Sequence, residues 1–391
     1  MVQNSVSKIA ILNDWFAPEI VGGAENSVSE VARELPKAGC VARVFTLNQP
    51  GFKGLHEINK VQVRFIWGLN IRKRNSAGVA VHVLEKMRTM FDVVTPICTL
   101  VVVKKYRPNF LILHEIDRFG PWLLVFARLF FRKKQLIRVH HDLSDTCIIR
   151  SRARAKGVCQ NLCSPCLPKS MLHAKLSYWV NVNISNSRFI ADELQSLGFN
   201  TSRSKVGNPV LIRESQVFEL PIQESSKSVG FVGRITKLKG IETVFRAVSL
   251  LDPKWKVHLV GPVDEKYRLN LLGLAQDLRI EAIFHDPTNN PYRVISDLVD
   301  CIIVASESYE AFGKVPIEAS LAGIPVISTE VGGLKESLDY IFPRPRVFPA
   351  GDSETLSRLL SDFGRPQSLT VKPTSHKTLT LVILESLGIV K

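Results

Sequence analysis

The sequence predicts an α/β protein with two domains, each built on a parallel, doubly wound sheet. The chain has 391 residues, which is enough for two domains of ordinary size. Short apolar runs alternate with amphipathic helical patterns along both halves of the chain. The apolar runs are rich in β-branched residues, as in strands that are buried on both faces.

The first half begins with a strand, "KIAIL", at residues 8–12. A helix follows over 24–39, with apolar residues at helical spacing and Gly39 as its stop. Further strands are predicted at 41–47, 61–67, 110–114, 135–141 and 180–185, with helical patterns near 79–105, 120–131 and 188–197.

The second half repeats this alternation. Its predicted strands are 228–234, 256–261, 280–285, 301–306 and 325–329, and its predicted helices lie near 239–251, 264–277, 291–299, 315–322 and 353–362. A segment rich in turn residues separates the halves. We therefore predict a first domain over 1–205, a linker over 206–227, a second domain over 228–365 and a tail over 366–391. The two domains are expected to face a cleft, with ligands beyond the carboxyl ends of the strands.

Charge is concentrated in the first half. Residues 1–200 contain 28 Lys and Arg against 14 Asp and Glu, whereas residues 201–391 contain 23 against 22. The first domain is therefore expected to meet an anionic partner.

The composition fits a soluble globular protein and disfavours two classes. No apolar stretch reaches the length of a membrane span, and no N-terminal run reads as a signal peptide. The cysteine count is odd, at seven, and without a secretory signal a disulfide framework is not expected.

Two cations follow the first strand of the second domain, in "GFVGRITKLKG". Arg234 comes directly after the strand and Lys239 stands at the start of the next helix. Two cations beside a helix N-terminus suit a diphosphate. The alternative is a pair of solvated surface cations.

Two carboxylates flank a glycine turn in "ESYEAFGKVPIE". Glu310 lies in the turn after a strand, and Glu318 lies near the start of the next helix. At a ligand-facing edge, the first can accept hydrogen bonds from sugar hydroxyls and the second from a ribose diol. Acidic residues near helix starts are also ordinary complements of the helix dipole.

Two motifs of the first half occupy similar positions. "APEIVGGAE" places Gly22 and Gly23 between a strand and a helix, where glycines let the backbone approach a phosphate or a sugar; a plain loop turn is the alternative. "IRVHHDLSD" ends a strand with His140, His141 and Asp142. Because neighbouring strand residues face opposite sides, His140 and His141 are expected to point in different directions.

Together these motifs resemble those of the retaining glycosyltransferases of family four (glycosyl transferases group one). The segment "ESYEAFGKVPIEASLAGIPVISTEVGG" is similar to that family's Glu-x7-Glu element and to the glycine elements that follow it. "FVGRITKLKG" and "DWFAPEIVGGAE" resemble its other landmarks, in the expected order. The resemblance implies the GT-B fold, with two Rossmann-like domains facing a cleft.

The resemblance also implies residue roles. Glu310 would hold hydroxyls of the donor sugar, beside backbone groups of Ala311, Phe312 and Gly313, and Glu318 would hold the ribose. Arg234 and Lys239 would hold the diphosphate and stabilise the departing nucleotide, with Gly22 and Gly23 also on the donor. His141 would reach the donor sugar or the acceptor; a structural, hydrogen-bonded histidine is the alternative.

No cofactor is expected, and no divalent metal. The sequence has no Asp-x-Asp pair, and Arg234 and Lys239 can replace the ion on a nucleotide-sugar. No Gly-x-Gly-x-x-Gly follows a strand, which disfavours a nicotinamide dehydrogenase. Cys147, Cys159, Cys163 and Cys166 have short spacings that a zinc or iron–sulfur site could use; an acceptor-side loop with free thiols is the favoured alternative.

Basic runs occur in "NIRKRN" and "RLFFRKKQ" of the first half. Solvated faces are the simplest interpretation, but an anionic membrane surface or a pyrophosphate-linked acceptor also fits. Nucleic acid is not expected, because no nucleic-acid-binding module is present.

These inferences predict a cytoplasmic, metal-independent, retaining hexosyltransferase, peripheral on the inner membrane face. The donor is a nucleotide-sugar, and the acceptor is a glycan or lipid-linked intermediate of polysaccharide biosynthesis. Two alternatives stay open: a GT-B relative that binds nucleotide or glycan without catalysis, and a nucleotide-sugar epimerase on the same fold.

Overall fold

The computed structural model describes residues 6–18, 23–69, 89–148, 152–154, 157–159, 161–164, 166–210, 212, 214–220, 226–288, 290–364, 366–373 and 377–390. The chain forms two compact units. The first unit comprises Met1–Ser151, Gln160–Val210 and His376–Lys391, and the second comprises Arg152–Cys159 and Leu211–Ser375.

Strands and helices alternate through both units. Numbered along the described residues, the strands are β1 (Lys8–Leu12), β2 (Val41–Leu47), β3 (Gly54–Ile58), β4 (Val61–Ile66), β5 (Phe110–Leu113), β6 (Leu136–His140), β7 (Ala153–Arg154), β8 (Gly157–Val158), β9 (Val182–Ser185), β10 (Ser204–Val206), β11 (Gln216–Glu219), β12 (Ser228–Val232), β13 (Lys256–Val260), β14 (Ala282–His285), β15 (Cys301–Val304), β16 (Val326–Ser328), β17 (Ile341–Phe342), β18 (Arg346–Val347) and β19 (Ser368–Val371). The helices are α1 (Gly23–Glu34), α2 (Val94–Lys105), α3 (Trp122–Phe130), α4 (Cys166–Ser177), α5 (Arg188–Ser196), α6 (Ile241–Ser249), α7 (Glu265–Asp277), α8 (Pro291–Ile295), α9 (Val315–Leu321), α10 (Leu334–Leu338), α11 (Ser353–Ser361) and α12 (Leu379–Ser386), with 3-10 turns at Leu35–Ala38, Lys133–Gln135 and Lys237–Lys239.

The first unit is built on a sheet that has eight strands among the described residues, in the order β10-β9-β6-β5-β1-β2-β4-β3. All neighbours pair in parallel except β3 with β4. Side chains of β1 alternate between two cores: Ile9 and Ile11 belong to one, and Ala10 and Leu12 belong to the other. A strand buried on both faces needs this continuous apolar run, which is why it could be predicted from sequence.

The second unit repeats the plan with a parallel sheet whose described strands run β14-β13-β12-β15-β16-β18. Counting parallel strands along the chain within each unit, the sheet of the second unit runs third, second, first, fourth, fifth, sixth. The sheet of the first unit has the same order, with β10 as a seventh parallel strand beyond the sixth. This is the order of a doubly wound Rossmann-like sheet, and the predicted fold class of two such α/β domains is confirmed. In each sheet the strand order reverses between the first and fourth strands, β1 and β5 in one unit and β12 and β15 in the other.

The C-terminal residues differ from the tail predicted over 366–391. β19 pairs antiparallel with β11 and β17 in a small sheet of the second unit. Helix α12 then packs in a core of the first unit, where Leu379, Val382 and Ile383 are buried. Since both elements bury apolar side chains, these residues belong to the two units. The predicted linker 206–227 likewise contains β11 and the last residue of β10.

Several predicted elements differ from the observed ones. Residues 79–88 of the helix predicted over 79–105 lie outside the described residues, and α2 covers the later part of that pattern. Helices α4, α10 and α12 were not predicted from the sequence. No helix in the described ranges combines the length and the apolar character needed to cross a bilayer.

Candidate functional site

The candidate site of the second unit lies where β12, β15 and β16 end. Adjacent parallel strands present their carboxyl ends at one edge of the sheet, and ligands bind there where the strand order reverses. That reversal falls between β12, which precedes Arg234 and Lys239, and β15, which precedes Glu310. The sequence-predicted site residues of this unit are therefore grouped at the expected edge.

Glycines shape the turn that carries Glu310. Gly313 has a φ of 79°, and a Cβ added there would approach Leu334 Cδ2 to 2.4 Å. Gly333 donates its N–H to the carbonyl oxygen of Glu310 at 2.7 Å, and a Cβ on Gly333 would lie 2.2 Å from the Ala311 carbonyl oxygen. Two glycine positions thus let the turn after β15 pack against the segment after β16.

Lys239 and Glu310 form an ion pair at this edge. Lys239 Nζ donates to Glu310 Oε1, and Ser306 Oγ donates to the same oxygen at 2.6 Å. The two charged side chains keep 34% and 18% of their surface exposed. The pair is therefore partly desolvated yet still accessible to a ligand.

The protonation state of Glu310 follows from its neighbours. Burial by itself raises the pKa of this carboxyl. The charge of Lys239 and the hydrogen bonds from Lys239 and Ser306 outweigh burial and hold the pKa of Glu310 below its ordinary value. At neutral pH the side chain is a carboxylate, which can only accept hydrogen bonds.

Lys239 is positioned by the glycine that follows it. Gly240 has a φ of 70°, and a Cβ there would lie 2.0 Å from the Ala305 carbonyl oxygen. This close approach brings the turn Lys237–Lys239 against the end of β15, and Glu307 N donates to Leu238 O at 2.9 Å. Thr243 Oγ1 adds a hydrogen bond to Glu307 Oε1 at 2.6 Å.

Arg234 lies two residues beyond the end of β12, and its side chain is exposed. It follows Gly233, whose φ is 132° and whose carbonyl oxygen would lie 2.0 Å from a Cβ on Gly261. The turns after β12 and β13 are thus in close contact beneath Arg234. A guanidinium at this edge can bind a phosphate through two parallel hydrogen bonds.

Glu318 is the fourth residue of α9 and is exposed. Its Oε2 accepts a hydrogen bond from Tyr292 Oη at 2.9 Å. Burial, followed by the charge and hydrogen bond of Glu318, raises the pKa of Tyr292 well above its ordinary value. Tyr292 therefore stays a donor, and Glu318 retains lone pairs for a further partner.

The turn between the two carboxylates is anchored by Phe312. Its ring is buried and packs edge-on against Tyr340, with 6.0 Å between ring centroids. Ala311 and Gly313 on either side are half-buried. The aromatic anchor fixes the backbone of the segment that the sequence assigned to the donor sugar.

In the first unit, His141 follows β6 and is buried. Its Nε2 lies 2.7 Å from Nδ1 of His114, which follows β5, and the two rings stack. Burial, and then the charge of Arg138, lower the pKa of His114 to about 3, so this ring is neutral. One of the two nitrogens donates and the other accepts, which fixes the orientation of His141.

His140 has different partners, as strand alternation predicted. Its Nε2 lies 3.1 Å from Asn183 Oδ1, and its Nδ1 lies 2.9 Å from Asp145 Oδ2. Arg138 pairs with the same carboxylate at 2.8 Å, and His173 Nδ1 lies 3.3 Å from its other oxygen. This buried network supports the segment that carries His141.

The glycine pair of the first unit is only partly described. Gly22 lies outside the described residues. Gly23 is the first residue of α1 and is exposed, and a Cβ added there would meet nothing within 4 Å. Packing in the described part of the chain therefore does not require glycine at this position.

Three members of the cysteine group, Cys147, Cys163 and Cys166, lie close together in the first unit. Cys147 and Cys166 are buried, with their sulfurs 4.0 Å apart, and burial raises the pKa of Cys166 to about 12. The Cys163 side chain is hydrogen-bonded to Cys166, whereas Cys159 belongs to the second unit. Among the residues described, no three His, Cys, Asp or Glu side chains are arranged to hold a metal ion.

Comparison with known families accounts for both units. The model of Glycosyltransferase Family 4 matches residues 21–206, and the model of Glycosyl transferases group 1 matches residues 212–364. The chain belongs to the family-four glycosyltransferases. This glycosyltransferase is 26% identical, over 355 residues, to an uncharacterized 42.6 kDa protein in the cps region of Klebsiella pneumoniae; the match covers 86% of this chain and 88% of that protein.

Solved structures show the same fold. Sucrose-phosphate synthase from Thermosynechococcus elongatus has a TM-score of 0.69 and 19% identity, covering 98% of the glycosyltransferase and 94% of that chain. HepE from Anabaena, in complex with UDP and glucose, has a TM-score of 0.61 and 17% identity, covering 90% and 89%. At this identity the likeness establishes the fold, which is the GT-B arrangement of these proteins.

Three residues of the glycosyltransferase had no predicted role. Ser306 contacts Glu310, Tyr292 contacts Glu318, and His114 contacts His141. His114 ends the predicted strand "FLILH", so its place beyond β5 was the available signal. Ser306 also follows a strand, whereas nothing in the sequence pattern indicated Tyr292.

Proposed function

We propose that this glycosyltransferase moves a hexose, with retention of configuration, from a nucleotide-sugar to a lipid-linked or surface polysaccharide intermediate. The observation that carries the proposal is the cluster of Lys239, Glu310 and Ser306. It lies at the sheet edge where the strand order reverses, in a chain of a glycosyltransferase family. The structure of HepE in complex with UDP-glucose supports the donor class.

In the proposal, Glu310 binds hydroxyls of the donor sugar. Its carboxylate already accepts from Lys239 and Ser306 through Oε1, so Oε2 is the oxygen offered to the sugar. The glycine turn and the buried ring of Phe312 fix this carboxylate in place. Glu318, held by Tyr292, takes the ribose diol at the exposed end of the same segment.

Arg234 and Lys239 bind the diphosphate. The bond from the sugar C1 to the terminal phosphate oxygen breaks, and its electron pair stays on that oxygen. The acceptor oxygen forms the new bond to C1 on the same face, and its proton passes to the departing phosphate. The two cations stabilise the charge that develops on the leaving group, which is the largest electrostatic demand of the reaction.

This arrangement needs no divalent ion, because two fixed cations supply the charge that a metal would otherwise contribute. His141, buried against His114, serves the donor sugar or the acceptor, as the family resemblance implies. The likeness to a protein in a cps region supports a polysaccharide intermediate as the acceptor. We place the reaction on the cytoplasmic face of the membrane.

Two linked measurements test the proposal. Thermal unfolding is recorded with UDP, GDP, ADP, TDP and CMP, each with and without magnesium. A nucleotide at about 100 times its dissociation constant should stabilise the fold by about 2.7 kcal/mol. One nucleoside diphosphate should stand out, and its shift should not depend on magnesium.

Radiolabelled sugars on that nucleotide are then incubated with a bacterial lipid extract. Transfer should release nucleotide and move label into the lipid phase. A new nucleotide-sugar formed without extract would identify an epimerase, and binding without turnover would identify a non-catalytic relative. If no nucleotide shifts the unfolding midpoint, the proposed donor site is wrong.

A further inference from the structure

Helix α2 of the first unit is apolar on its outer face as well as its inner one. Thr99, Leu100 and Val103 are buried against the sheet, whereas Val94, Ile97 and Val101 are exposed at a spacing of three and four residues. A helix that is apolar all round is ordinarily buried on every side. Here the outer stripe has no cover from the described residues.

Helix α3 presents a second apolar stripe on its outer face. Trp122 and Leu129 are exposed, and Phe126, which stacks on Trp122 with 6.2 Å between ring centroids, is half-buried. Phe91, just before α2, is 77% exposed, and Leu129 is 76% exposed. These are the most exposed large apolar side chains in the described part of the chain.

Hydrogen bonds at both ends hold the two helices side by side. Trp122 Nε1 donates to Met90 O near the start of each helix, at 2.8 Å. Lys104 Nζ donates to Phe130 O near the end of each helix, also at 2.8 Å. The helices therefore run in the same direction, and their outer stripes form one surface about 18 Å long.

The carboxyl end of this surface is basic. Exposed cations lie in or just after the last turn of both helices, and they are Lys104, Lys105, Arg128, Arg132, Lys133 and Lys134. Residues 93–114 and 118–141 contain no Asp or Glu. Within the described ranges, none of the six cations forms an ion pair, so their charge is available to an external anion. We call these exposed apolar and basic side chains of α2, α3 and residues 132–134 the outer patch.

We propose that the outer patch docks on an anionic lipid bilayer. Aromatic and aliphatic side chains can enter the headgroup region while the adjacent cations bind lipid phosphates, which is the arrangement of interfacial helices. Charge complementarity favours an anionic bilayer over a second copy of the chain as the partner of the outer patch. A two-fold interface would bring the patch against itself, and the patch has no carboxylate to pair with its cations.

Docking on a bilayer would bring the enzyme to its lipid-linked acceptor. This link to the acceptor rests on the proposed function. An enzyme held at the membrane meets such an acceptor by diffusion in two dimensions. The side chains of the outer patch are not those of the proposed donor site, so vesicle binding and nucleotide binding can fail separately.

The test is flotation of the full chain with vesicles of phosphatidylcholine alone or with added phosphatidylglycerol. The protein should bind the anionic vesicles, and binding should weaken between about 50 mM and about 500 mM KCl as screening shortens the range of the attraction. Lys133→Gln with Lys134→Gln should weaken binding about 25-fold, from about fivefold per cation. Phe91→Ser with Leu129→Ser should weaken it at least about tenfold.

Matched controls make the same types of substitution at exposed residues outside the outer patch. Leu269→Ser removes a leucine that is 59% exposed on α7 of the second unit, and Lys53→Gln removes an exposed lysine of the first unit. Both controls should float like the unchanged protein. All variants should keep the thermal shift given by the preferred nucleotide, which shows that they are folded and leaves the proposed function standing whatever the vesicles do.

Several results would overturn docking on a bilayer. Failure of the protein to float with anionic vesicles would contradict the proposal, as would equal flotation with neutral and anionic vesicles, or outer-patch variants that float like the controls. Sedimentation that shows patch-dependent dimers without vesicles would assign the surface to a second copy. Binding to polyglutamate that matches vesicle binding and survives Leu129→Ser would assign it to an acidic protein.

Discussion

Lys239 and Glu310, which are 71 residues apart in the chain, form an ion pair beyond the carboxyl ends of β12 and β15. Lys239 directly precedes Gly240, and Glu310 lies three residues before Gly313; both glycines have a left-handed backbone. The pair joins a cation suited to phosphate with a carboxylate suited to sugar hydroxyls. A nucleotide-sugar carries both groups next to each other.

Removing the cations tests the diphosphate assignment. Arg234→Ala and Lys239→Ala should each weaken binding of the preferred nucleoside diphosphate about ten- to hundredfold, since each removes charge-assisted hydrogen bonds of about 1.5–3 kcal/mol. Calorimetric titration measures this. Lys237→Ala, which removes an exposed lysine of the same turn, is the control and should change affinity less than about twofold. Equal losses in all three variants would indicate a general charge effect rather than a site.

The approach of Gly240 to the end of β15 should be essential for stability. Gly240→Ala places a Cβ 2.0 Å from the Ala305 carbonyl oxygen and requires a φ of 70°. Gly351 has a similar φ of 80° but open space around it, so Gly351→Ala isolates the backbone strain, at about 1 kcal/mol. Urea unfolding should show a loss in Gly240→Ala larger by about 1–3 kcal/mol. If the two variants lose the same free energy of unfolding, the contact between residue 240 and the Ala305 carbonyl oxygen is relieved without cost.

Acid should destabilise the first unit through its buried histidines. Burial lowers the pKa of His114 to about 3 and that of His173 to about 4, the latter despite the opposing charge of Asp145. The unfolded chain takes up these protons near pH 6.5 while the folded chain does not, so stability falls as the pH drops from about 6.5 toward 4. Asp145 adds little over most of that window, because the unfolded chain protonates this carboxylate only near its ordinary pKa of 3.8. The pKa of Asp145 in the folded chain lies well below that value, so its contribution is lost mainly at lower pH.

The free energy of unfolding should fall by about 1 kcal/mol per pH unit for each of the two histidines. The free energy of unfolding, measured in urea at several pH values, checks this. His173→Gln should remove about half of the slope, and His56→Gln, which changes a histidine of β3 at the sheet edge, should leave it unchanged. A slope that His173→Gln does not alter would show that this histidine titrates normally in the folded protein.

Strands could be predicted from the sequence where their own residues indicate burial on both faces. β1 and β15 are continuous apolar runs because both of their faces meet a core, and such runs predict parallel strands. The site residues then follow from topology, since parallel strands present their ends at one edge. Lys239 and Glu310 could therefore be expected to lie at the same edge of the sheet although they are far apart in the sequence.

Contacts that depend on how distant elements pack together could not be predicted from the sequence. Tyr292 meets Glu318 only because α8 and α9 lie close together, and His114 meets His141 only because β5 and β6 are neighbours. Helix α12 is mostly apolar and follows a segment rich in polar residues, but its destination in the first unit depends on a complementary surface between α1 and the sheet. Helix α4 contains Pro168 and lacks strong periodicity, which concealed it.

The most direct test of the account replaces Glu310 with Ala and compares sugar transfer with binding of the free nucleoside diphosphate. Only the sugar contacts should be lost, so the transfer rate should fall about ten- to hundredfold or more. Binding of the diphosphate should stay equal or become tighter, because Lys239 is released from its partner. If transfer is unchanged, or if diphosphate binding falls together with it, Glu310 does not hold the donor sugar and the central claim is wrong.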